Sequence, residues 1–82
     1  MNNNEEWLDE KYKEILELET NGLIRRSQLD PAFNIEEIKG ILKNLYIKEG
    51  ADWEGRGSLQ DVILSATIAA YEDFIAKFKT EL

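Results

Sequence analysis

The chain reads as all-α: a small three-helix bundle, or a helical hairpin followed by a long third helix. Three observations predict this. Apolar residues recur three and four positions apart in three separate segments. Glycine, asparagine and the one proline mark breaks between those segments. The third segment, about residues 59–78, is apolar on two sides, as a helix enclosed by neighbours must be. The 82 residues are read as a single helical domain, 1–82, near the lower size limit for one self-sufficient core.

The first helix is expected from about Asn4 to Thr20. Leu8, Tyr12, Ile15 and Leu16 share one face, which Trp7 and Leu18 widen. Glu5 and Glu6 stand in the first turn, where negative charge suits the helix dipole. Asn21-Gly22 reads as the stop signal, because glycine takes the left-handed conformation that ends many helices. Leu23 to Phe33 then reads as a connector, with room for a helical turn from Ser27 and a break at Asp30-Pro31. Arg25-Arg26 is the only adjacent basic pair in it, and pairing with the abundant carboxylates is the simplest use of both.

The second helix has the clearer start. Asn34 is a cap, and Glu37 three residues on completes a capping-box pattern. Ile35, Ile38, Ile41, Leu42, Leu45 and Tyr46 fall within an arc of about 140° at 100° per residue. Gly40 lies opposite, at a helix cost of about 1 kcal/mol relative to alanine. Ile47 also lies off the arc, so either the helix ends near Tyr46 or a partner covers that side.

Leu64, Ile68, Tyr71, Ile75, Phe78 and Leu82 carry the third helix on a 4-3-4-3-4 spacing, the rhythm of a heptad seam. Leu59, Val62, Ile63, Ala66, Ala69, Ala70 and Phe74 form a second stripe beside it. Two arrangements satisfy both stripes. Either the other two helices take one each, or the seam residues Leu64, Ile68, Tyr71, Ile75 and Phe78 meet a second copy of the chain. The expectation is the second, a two-fold homodimer.

Seventeen acidic and ten basic residues leave a formal charge of −7, which disfavours nucleic acid and anionic membrane surfaces as partners. With no cysteine, neither a disulfide nor a thiolate metal site is possible, and a reducing cytoplasm is the expected location. With no histidine, the commonest general base and metal ligand is missing too. No signal peptide and no membrane span are read, and no metal or cofactor is expected.

One loop resembles a ligand site. Asp52, Trp53, Arg56, Gly57 and Ser58 combine glycine flexibility, an arginine fork and a helix start, a set that suits an anion. The order matches no phosphate-binding fingerprint. A calcium loop from Asp52 fails, since Arg56 would be its fifth residue and Ile63 its twelfth. A turn capped by Ser58 explains the same residues. No catalytic set is identified. The expected function is a non-catalytic interaction or regulatory protein acting through an apolar helix face, with anion binding by the Asp52–Ser58 loop as the alternative.

Overall fold

The computed structural model describes residues 3–51 and 57–80, which form three helices: α1 (Asn3–Leu29), α2 (Ile35–Ala51) and α3 (Ser58–Thr80). Among these residues there is no strand, and the packing is that of a small three-helix bundle. Both α1 and α2 lay their main contact on α3.

Helix α1 runs nine residues beyond the expected stop at Thr20. Asn21-Gly22 does not end it, because Leu23 lies one heptad beyond Leu16 and is buried in the core, 2% exposed. Burying that side chain is worth roughly 1.5–3 kcal/mol, against about 1 kcal/mol for a glycine inside a helix. Continuing the helix therefore wins. It stops where the backbone forbids more: a residue before proline is pushed out of the helical region. Asp30 closes the turn, its Oδ1 accepting from the Ala32 N–H at 2.9 Å and its carbonyl from the Phe33 N–H at 3.0 Å.

Helix α2 begins as its cap predicts. The Asn34 Oδ1 accepts from the Glu36 N–H at 2.8 Å, and its carbonyl accepts from Glu37 and Ile38. The Glu37 carboxylate takes a different partner from the one the capping box assigns, Arg26 at 3.4 Å, which ties the start of α2 to the end of α1. The helix also continues past Tyr46 to Ala51, so Ile47 stands on a formed helix and is 59% exposed. Gly40 is exposed, and a β-carbon added there would touch nothing within 4 Å. Its φ is ordinary for a helix. Gly40→Ala is therefore expected to stabilise the fold by about 0.5–1 kcal/mol, read as a raised urea midpoint with an unchanged slope.

In α3 the first helical bond runs from the Asp61 N–H to the Gly57 carbonyl at 3.1 Å, one residue earlier than a Ser58 cap would place it. Ala66 and Ala70, from the smaller stripe, are fully buried. Trp7 and Leu8 lie beside Ser58 and Leu59, Leu16 beside Ala69, and Ile24 beside Phe74 and Phe78. Helices α1 and α3 therefore run in the same direction. Between them the chain turns back at Phe33, whose ring meets Phe74 and Phe78 at 5.9 Å each. The α2 residues Ile35, Ile38, Ile41, Leu42 and Leu45 then join the core that holds Leu23, Tyr71 and Phe74.

Candidate functional site

The five seam residues lie inside the single chain. Leu64, Ile68 and Tyr71 are buried, while Ile75 and Phe78 are half-buried against the core shared with α2. Each apolar stripe of α3 thus has an intramolecular use. Tyr71, Ile75 and Phe78 pack against the core to which α2 contributes Ile38.

Of the anion-site candidates, Asp52, Trp53 and Arg56 lie outside the described residues. Gly57 and Ser58 are described, and both are exposed. Ser58 lines a shallow surface depression with Trp7, Leu8 and Leu59, which offers apolar surface more than charge.

Open grooves flank the α1–α3 seam, and two of them reach the buried aromatic side chains. One, of about 330 Å³, has Ile24, Phe74 and Phe78 as its apolar part, with Asp73 and Lys77 at its polar edge, ion-paired at 3.1 Å. The other, of about 430 Å³, runs past Leu18, Gly22, Arg25 and Arg26 to Tyr71. Neither is closed from solvent, and a groove that holds water gains little electrostatic strength for chemistry. Among the described residues no group of His, Cys, Asp or Glu side chains is placed to hold a metal ion. No helix among them is long and apolar enough to cross a membrane.

Two tyrosines depart from ordinary acidity. The Tyr46 hydroxyl donates to the Glu72 carboxylate, a bond that holds its proton and raises its pKa. Tyr71 is raised first by burial and then by the nearby Glu19 carboxylate, with Arg26 opposing. A folded-state pKa above the unfolded value gives stability that is present below about pH 10 and lost as pH rises through the folded pKa. Urea unfolding between pH 9 and 11 is thus expected to show falling stability. Tyr71→Phe should flatten that fall.

The apolar side chains left in water form the remaining feature. Leu18 is 63% exposed and Leu29 73%, and Trp7 on the same helix is half exposed. Sequence reasoning placed Leu18 on the flank of the buried face and missed Leu29, because it ended the helix at Thr20. Once α1 continues to Leu29, the heptad count Leu8, Lys11, Ile15, Leu18, Gly22, Arg25, Leu29 becomes readable. That row was the available signal. The chain matches no protein-family model, no curated protein and no solved structure.

Proposed function

We propose that this protein is a non-catalytic interaction module, acting in the cytoplasm by burying exposed helix-face side chains against another protein. The observation that supports it most is the exposure of Leu18, Leu29 and Ile47 on helices whose opposite faces already fill the core. Large side chains gain roughly 1.5–3 kcal/mol each when buried, so three or four of them are enough to anchor a partner. The acid–base inventory supports the non-catalytic part. The two shifted groups among the described residues are tyrosines moved further above neutrality, away from where a general acid or base works.

The test is photo-crosslinking in an extract of cells that make the protein. A photoreactive phenylalanine is placed at position 18, 29 or 47, with the exposed polar Asn44 as control. Adducts are expected at the apolar positions and absent at 44. Equal labelling everywhere, or none, would remove the proposal.

A further inference from the structure

The row on α1 specifies more than exposure. Leu8, Lys11, Ile15, Leu18, Gly22, Arg25 and Leu29 follow spacings of 3-4-3-4-3-4 within an arc of about 100°, centred about 110° away from buried Leu23. Gly22 sits in the middle of this row, mid-helix and exposed, and a β-carbon there would meet nothing within 4 Å of the same chain. The fold itself thus gives no reason for a glycine at a position where helix propensity disfavours it.

We propose that this face of α1 packs against the same face of a second copy, antiparallel, with Leu18 of each chain seated over Gly22 of the other. This names the partner for the interaction function proposed above and rests on it. Charge selects the occupant and its direction. In the antiparallel register that sets Leu18 on Gly22, position n of one chain faces position 40 − n of the other. Arg25 then stands at the level of Ile15, beside Glu14, on both sides of the two-fold axis. Arg25 has no ion-pair partner of its own chain among the described residues, whereas Glu14 already holds Lys11 at 2.9 Å and has acceptor sites left. A parallel pairing would stack Arg25 on Arg25 and Lys11 on Lys11, with Gly22 facing Gly22. The like-charge contacts disfavour it.

Lys11 to Leu29 covers about 27 Å of helix, one helix width across, which puts the contact at the small end of specific interfaces. Association is therefore expected to be weak, in the micromolar range or above. It must be sought over a wide concentration span.

Sedimentation equilibrium from about 10 μM to 1 mM tests it. A concentration-dependent dimer is expected for the wild type, and a monomer with unchanged circular dichroism for Leu18→Glu. Glu14→Arg and Arg25→Glu should each weaken the dimer about tenfold, and the double exchange should restore it. In one chain these residues are eleven positions apart, about 16 Å along the helix, so rescue cannot be intramolecular. Gly22→Ala separates the fold from the contact: its melting temperature should rise by about 3–8 °C while its dimer weakens. Gly40→Ala should raise the melting temperature and leave the dimer alone. A wild-type monomer at 1 mM overturns the second-copy contact, as does a dimer indifferent to Leu18→Glu. If position 18 still crosslinks to a different protein, the interaction function survives that failure.

Discussion

Ile68→Asp is expected to unfold the chain rather than release a folded monomer. Ile68 is 6% exposed at the middle of α3. A carboxylate there must either stay ionised without a partner or take up a proton, and either course costs several kcal/mol. Total stability for a domain of 82 residues is about 4–12 kcal/mol, so one such change consumes much of it. Far-ultraviolet circular dichroism at 25 °C should show loss of helix. A variant that keeps wild-type helicity and melting temperature would mean that Ile68 faces solvent in the monomer, returning the heptad seam of α3 to the role of interface.

The second large effect is expected from Phe74→Ala, at about 3–5 kcal/mol. Phe74 stands between Phe33, edge-on at 82°, and Phe78, near-stacked at 29°, with both ring centroids 5.9 Å away. Aromatic pairs of this kind add about 0.5–1.5 kcal/mol to the burial itself. Phe74 also underlies the groove beside Thr20 and Ile24, so it belongs to the α1 contact as well as the turn into α2. Phe78→Ala should cost less, since that ring is only half-buried. A Phe74→Ala loss below about 1 kcal/mol would show that the three rings do not form one packed unit.

The residues that speak plainly in the sequence do so through repetition. The two stripes of α3 are long and regular, and the sequence reading named the arrangement in which α1 and α2 take one each. It preferred the dimer, because stripe width alone does not distinguish a neighbour in the same chain from one in another. Asn34 was legible because a cap is a local event, settled by hydrogen bonds within four residues. Asn21-Gly22 misled for the complementary reason. Its local preference to end a helix is about 1 kcal/mol, and the opposing term is the burial of Leu23 among residues from α2 and α3, invisible at that distance in the chain. The same error hid the row on α1, since a helix that ends at Thr20 has no Arg25 or Leu29 to complete it. Sequence alone likewise left Gly40 with two readings, and the structure shows that nothing in the same chain passes close to it.

Because α1 and α2 both pack on α3, the order of synthesis matters. The ribosome makes α1 and α2 first, and at about 5–20 residues per second the 29 residues from Ala51 to Thr80 follow over roughly 1.5–6 s. Helix–coil exchange takes about a microsecond, so both helices form and melt on the order of a million times before their common support emerges. During that interval Leu23, Ile38 and the apolar arc of α2 are open to water and to whatever else the nascent chain meets. The 51 residues made by then carry eleven acidic and seven basic side chains, a net charge of −4 that favours staying in solution. Completion of α3 then commits both waiting helices together.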